Sequence, residues 1–318
     1  MPNCVSKETT MEEIGQATRR IGELSATVRA AGPSPGRRDV FAALRQDEIL
    51  GSIRLAGATL DAVELRVLLQ RGRALGGHPL ADYLLVHSYA EAAAWTAQRG
   101  SQPGPITTDD LRTLHRMAAG PLAPDGGAWR TRTLPPFADG TVPPPHWLVP
   151  FETATYVGRL ALADDDPAPL AVARAIARLV RLQPFGNANG RVARLVGNLI
   201  CYRRGLPPLV LDARAQRTYE GALHAALGGD PLPLARIVAR SLIRGLERLR
   251  DTIDDDAPLL PLGSFAGRGR AEGLYKAAQR GRLRVVRRKG RLFTTEGWIA
   301  DYRSRGSRTF DPSRKSAR

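Results

Sequence analysis

Apolar residues recurring three and four positions apart, segment after segment, set what this 318-residue chain can become. From Arg38 onward the spacing runs through DVFAALRQDEIL, LDAVELRVLLQRGRAL, LADYLLVHSYAEAAAWTAQ, TTDDLRTLHRMAAG, APLAVARAIARLVRLQ, RVARLVGNLICYRRG, TYEGALHAALGG and LPLARIVARSLIRGLERLRDTI. Each segment reads as a helix with one apolar face. Such faces are stable only when packed against one another, so the fold class is mainly α. Ile14, Ile21, Leu24 and Val28 carry the spacing into an N-terminal helical arm, residues 1–37, which closes on the breaker GPSPG. Thr107 or Thr108, ahead of Asp109 and Asp110, reads as an N-cap with dipole-favoured carboxylates behind it. One stretch departs from the pattern: the prolines and β-type residues of WRTRTLPPFADGTVPPPHW predict an extended flap or a short hairpin.

The net charge of +16 is unevenly placed. Residues 258–318 hold 16 Lys and Arg against four acids, while the rest of the chain is near neutral at +4. Asymmetry of this kind marks a separate basic module with an anionic partner. The acidic, proline-flanked run DTIDDDAP supplies a boundary. The expected organisation is an arm at 1–37, a body at 38–250, an acidic linker at 251–257, a basic module at 258–306 and a basic disordered tail at 307–318. Arg makes up 43 of the 47 cations, a skew that GC-rich coding also produces, so the position of charge carries the argument. Two cysteines, Cys4 and Cys201, build no disulfide framework, and Cys201 within LVGNLICY reads as a buried inert thiol. The first 30 residues hold no apolar signal core, and no run reaches the roughly eighteen apolar residues of a membrane span. The expectation is a cytoplasmic protein with no membrane partner.

The most informative stretch of the body is RLVRLQPFGNANGRVARLVGNLICYRRG. A helix is expected to end near Gln183, a tight loop to follow, and a second helix to open at about Arg191. Asn189 and Gly190 at that opening, with Arg191 and Arg194 behind them, would gather backbone N–H groups, a helix dipole and two guanidiniums into an anion cradle. Gly and Asn between two helices are equally ordinary capping chemistry, and local physics alone leaves the two readings level.

In its spacing, QPFGNANGRVAR resembles the Fic (Fido) family signature His-Pro-Phe-x-(Asp/Glu)-Gly-Asn-Gly-Arg-x-x-Arg, with Pro184, Phe185, Asn189, Gly190, Arg191 and Arg194 in register. The resemblance extends over Arg38 to Leu249: LRTLHRMAAGPLAPDGGAWRTR is similar to the helix and Gly-Arg segment entering the family's flap, and TVPPPHWLVP to its exit. It implies a helical core with a small β-hairpin flap, and transfer of AMP from ATP to a protein hydroxyl. By the same resemblance Phe185, Ala188, Asn189, Gly190, Arg191 and Arg194 surround the phosphates of ATP or another nucleotide.

Several positions depart from the signature. Gln183 stands at the catalytic histidine's place, and a carboxamide cannot take a proton from a hydroxyl near neutral pH. Asn187 replaces the acid that holds Mg²⁺; a neutral oxygen is a weak ligand for a hard dication, so Mg²⁺ binding is expected to be impaired. Ala188 replaces a glycine, and its methyl penalises positive φ. The five histidines, His78, His87, His115, His146 and His224, all lie outside the motif, and His146 on the flap is better suited to surface packing than to a substitute base. SIRLAG matches the family's inhibitory segment Ser/Thr-x-x-x-Glu-Gly at Ser52 and Gly57, but Ala56 sits at the glutamate's position. On that alignment Arg194 has lost its intramolecular carboxylate and is free for an anion.

In the basic module the expected order is a short helix and turn at LGSFAGRG, a helix AEGLYKAAQRG closed by Gly281, a hairpin RLRVVRRKGRLFTT turning near Lys289–Gly290, and a helix TEGWIADYRSR capped by Thr295. This order resembles the winged helix-turn-helix of the excisionase and MerR group. The resemblance implies duplex DNA as partner, with Lys276, Gln279 and Arg280 on the recognition helix and Arg282, Arg284, Arg287, Arg288, Lys289 and Arg291 on the wing. Seven cations between Arg280 and Arg291 suit phosphate neutralisation on their own account, though a solvated basic face or RNA attachment is the plainer alternative. The leading functional expectation is a Fic-type protein that retains a nucleotide cleft, no longer transfers AMP in the ordinary way and binds DNA. Its rival is an active nucleotidyltransferase using another base or donor.

Overall fold

The computed structural model describes residues 3–306 apart from 122, 138–139, 163–164, 266–270 and 289. Helix α1 (Asn3–Ala30) turns at Gly32 into α2 (Pro35–Arg54), which Ser34 caps by accepting from the Arg37 N–H. Then follow α3 (Ala62–Arg71), α4 (Leu80–Gly100) and α5 (Thr108–Ala119). Thr107 is the N-cap of α5, and the Asp110 side chain closes the capping box. Beyond the flap come α6 (Val149–Leu162), α7 (Ala168–Leu182), α8 (Asn189–Arg203), α9 (Gln216–Leu227) and α10 (Leu232–Asp256).

Helices α7 and α8 lie at the centre. Eleven residues of each are buried, so neither keeps a broad polar face, which is the mark of an inner helix. Around this pair pack α4, α5, α9 and α10. Helix α1 runs along α10, and its Ile14, Ile21 and Leu24 enter the same apolar core. The expected arm packs along α10 through Ile14, Ile21 and Leu24. The expected acidic linker is corrected. Leu242, Leu246, Leu249 and Thr252 continue the buried stripe, and α10 runs on to Asp256.

Among the described residues of 128–145 there is no strand; of the two expected forms, an extended flap or a short hairpin, the described residues take the extended one, closed by the bonds Phe137 N–H to Thr141 O and Gly140 N–H to Phe137 O. Pro135, Pro136, Pro143, Pro144 and Pro145 remove the donors a ladder would need.

After α10 come β1 (Leu260–Pro261), a 3-10 turn (Leu262–Phe265), α11 (Ala271–Gln279), β2 (Val286–Arg288), β3 (Arg291–Thr294) and α12 (Glu296–Gly306). The sheet is antiparallel in the order β1-β3-β2, with Leu260 opposite Thr294 and Val286 opposite Phe293. Gly281 ends α11 with φ 66°, and Thr295 caps α12 through the Trp298 N–H. Leu262, Leu274, Ala277, Leu283 and Ile299 form a small second core. Residues 307–318, expected as a disordered tail, lie outside the described residues. No helix among the described residues is long and apolar enough to cross a membrane.

Candidate functional site

The segment joining α7 to α8 is held on every side. Gln183 caps α7 in the left-handed region at φ 43°, and Ala188 precedes α8 at φ 56°. These are the only two described non-glycine residues at positive φ, and they bracket the loop. Asn189, the first residue of α8, ties the turn shut: its Oδ1 accepts from the Phe185 N–H at 3.0 Å and its Nδ2 donates to the Phe185 carbonyl at 2.8 Å. Phe185 is wholly buried, stacked on His115 at 3.9 Å and on Trp129 at 5.1 Å. From the flap, Arg130 donates through Nε to the Gln183 carbonyl at 2.7 Å and through Nη2 to the Pro144 carbonyl at 2.5 Å, while its main-chain N–H meets the Pro184 carbonyl. Arg130 thus fastens flap entry, flap exit and loop to one guanidinium.

Helix α8 opens without a side-chain cap, which leaves its first-turn amides available to an acceptor from outside the helix. Gly186 and Asn187 are exposed at this opening, and Gly190 is half-buried. The two motif arginines go separate ways. Arg191 donates through Nη1 to the Ala118 carbonyl at the end of α5. Arg194, only 6% exposed, donates through Nε to the Ser52 hydroxyl at 2.5 Å and through Nη2 to the Ser52 carbonyl at 2.9 Å. The expectation of a free Arg194 is corrected accordingly: with no carboxylate at residue 56, α2 supplies a hydroxyl and a carbonyl one turn earlier. Ala56 and Gly57 stand exposed in the turn beyond α2, with Gly57 at φ 97°.

Behind Ser52 lies a carboxyl that the motif alignment passed over. Glu48 is buried and accepts from the Tyr89 hydroxyl at 2.7 Å. Burial pushes its pKa up to about 7, against the opposing pull of the Tyr89 hydrogen bond and the Arg194 charge. Its signal was in the periodicity: Leu44, Glu48, Ile49, Ser52 and Ile53 share the buried face of α2. His115, outside the motif in sequence, touches the site in the fold. Its Nδ1 accepts from the Gly127 N–H at 2.9 Å, so its Nε2 carries the proton and donates to Asn187 Oδ1 at 3.3 Å. Burial holds the ring's pKa below the usual histidine range. With both nitrogens engaged and 2% exposure, His115 positions the loop rather than receiving a proton. His146 lies on the flap side against Thr133 Oγ1 at 3.2 Å and Trp147.

The donor set does not fit the divalent cation implied by the family. Asn187 offers a neutral oxygen already engaged by His115, and no group of three His, Cys, Asp or Glu among the described residues is placed to hold a metal.

Residues 105–201 match the Fic/DOC family model. That segment is similar to a Fic domain. The protein adenylyltransferase Fic of Nematostella vectensis is 29% identical over 238 residues, covering 73% of this chain and 54% of that protein. The protein adenylyltransferase fic-1 of Caenorhabditis briggsae is 28% identical over 203 residues, covering 62% of this chain and 39% of that protein, so the chain spans well under two thirds of these relatives. Among solved structures, Fic-1 (residues 134–508) of C. elegans aligns with a TM-score of 0.70 at 24% identity, over 79% of this chain and 76% of that one. A Fic domain containing signaling protein from Bacteroides thetaiotaomicron aligns at 0.68 and 21% identity, over 75% and 98%. The Fic fold thus accounts for the helical body, with the α7–α8 loop inside the matched segment.

The basic module places its expected residues unevenly. Lys276 and Gln279 are exposed on α11 opposite buried Leu274 and Ala277, Arg280 is exposed in the turn that follows, and Lys276 pairs with Glu272 at 2.6 Å. Arg282, Arg284, Arg287 and Arg291 are exposed on and before the hairpin, and Arg284 also stacks over the Trp298 ring at 4.5 Å. Lys289 and the Arg288 side chain lie outside the described residues.

Proposed function

We propose that this chain is a Fic-fold protein that binds nucleotide phosphate at the α7–α8 loop without carrying out ordinary AMP transfer. Its relatives are named protein adenylyltransferases, so a nucleotide and a protein hydroxyl are the natural ligands of the cleft. The observation that carries the reading is the contrast within the loop. The uncapped α8 start, closed by Asn189 and fastened by Arg130, is built to meet an anion, while Gln183 at the loop's first position has a carboxamide in place of a proton acceptor. Phosphate oxygens would accept from the first-turn amides and from Arg191 once it leaves Ala118. Arg194 would stay on Ser52 unless α2 moves. At the flap exit, Val142, Trp147 and Phe151 are 60%, 66% and 69% exposed and give an apolar face for a protein target.

The basic module extends the reading to duplex DNA, supported by the exposed cations of α11 and the hairpin. The second reading, an active transferase with a different base or donor, is favoured by one observation only, the intact loop geometry. Titration calorimetry of the full chain with ATP in EDTA tests the first. Saturable binding is expected, weakened about tenfold or more by Arg191→Ala. Binding that appears only with Mg²⁺ contradicts the reading.

A further inference from the structure

A cavity of about 540 Å³ opens between α1, α2, α10 and the 205–207 turn, within the roughly 300–1,000 Å³ of small-molecule sites. Its walls are apolar: Val28, Phe41, Pro207, Leu246 and Leu249. Phe41 is held in place against Tyr202. Arg29, Arg37, Arg38 and Arg45 also line it, and no carboxylate does. Arg37, 9% exposed, is fixed by donating to the Gly32 and Ala31 carbonyls at the end of α1. Arg29, Arg38 and Arg45 form no ion pair with a described residue. Other arginines of these helices meet acids, as in Arg20–Glu247, Arg236–Glu13 and Arg248–Asp47, whereas Arg29, Arg38 and Arg45 of the cavity meet none among the described residues.

Apolar walls beneath a ring of like charge call for an occupant with a hydrocarbon body and one anionic end. A nucleotide would find few polar partners for its base here. We propose that this cavity binds an aliphatic carboxylate, its chain along Phe41, Leu246 and Leu249 and its carboxylate between Arg38 and Arg45. Arginine suits such an end because its fork meets both oxygens of a carboxylate. The site is separate from the α7–α8 loop and stands or falls without it.

Calorimetry of the full chain with octanoate, octanol and phosphatidylglycerol vesicles tests the assignment. Octanoate is expected to bind saturably and octanol at least tenfold more weakly. Arg38→Gln with Arg45→Gln, its fold checked by circular dichroism, should weaken octanoate at least tenfold and leave octanol unchanged. Equal binding of the acid and the alcohol overturns the proposal, and needs no variant to be seen. So does an unaltered octanoate affinity in the double variant, or binding of vesicles with none of octanoate.

Discussion

Glu48, packed against Tyr89 and α8, and His115, packed against the α7–α8 loop, have pKa values displaced in opposite senses. Glu48 has a folded-state pKa of about 7, above the ordinary carboxyl value near 4.5, so the folded protein holds a proton that the unfolded chain releases. Its contribution to stability is complete below about pH 4.5 and is lost as pH rises through about 7, a change on the order of 3 kcal/mol. His115 is depressed, so its contribution is complete above about pH 6.5 and is lost as pH falls. Glu48→Gln keeps an acceptor for the Tyr89 hydroxyl but cannot ionise. Urea midpoints should show the variant level with the parent near pH 4.5 and more stable at pH 8. Parallel pH profiles for the two proteins would remove Glu48 from this account. Much of this chemistry was legible in the chain as residue types; its placement was not. Arg194 and Ser52 are 142 positions apart, and no spacing rule brings a core carboxyl on α2 to the arginine of α8.

Helix α2 works through two faces. Glu48 and Ser52 look toward the site, while Leu44 and Gly51 face the 209–211 segment and α10, Gly51 so closely that a Cβ would stand 2.1 Å from the Leu211 carbonyl oxygen. Gly51→Ala should therefore lift α2 and cost about 2 kcal/mol or more of stability, measured by chemical denaturation, whereas alanine at an open helical position gains up to about 1 kcal/mol. A neutral or stabilising result would mean that α2 is not pinned there. At this scale the sequence was most readable: α7, its loop and α8 fell within two residues of their expected places, because apolar spacing and Gly-Asn punctuation are local signals. Long-range packing was less readable. The docking of α1 on α10 and the run of α10 through an acidic segment depend on partners distant in the chain. Ala188 is the clearest case. Its methyl argues against positive φ, yet it sits at 56°, at a cost of roughly 1–2 kcal/mol that the Asn189 and Arg130 contacts must offset.

The whole molecule joins a helical Fic-fold body to a small unit whose exposed face is cationic. If that face meets duplex DNA, full-chain affinity should fall steeply between 50 and 200 mM salt, and each phosphate contact removed by Arg282→Ala, Arg287→Ala or Arg291→Ala should flatten the log–log slope by about 0.9. Gel shifts across a salt series measure both, and a slope unchanged in the triple variant assigns the charge to solvation instead. The body's central claim is that its cleft is shaped for nucleotide and lacks a proton acceptor. Transfer of labelled AMP from ATP and Mg²⁺, assayed side by side in the parent and in Gln183→His with Asn187→Asp, tests it most directly. The account predicts no labelled protein with the parent and labelled protein with the double variant; labelling by the parent that vanishes on Gln183→Ala would contradict it.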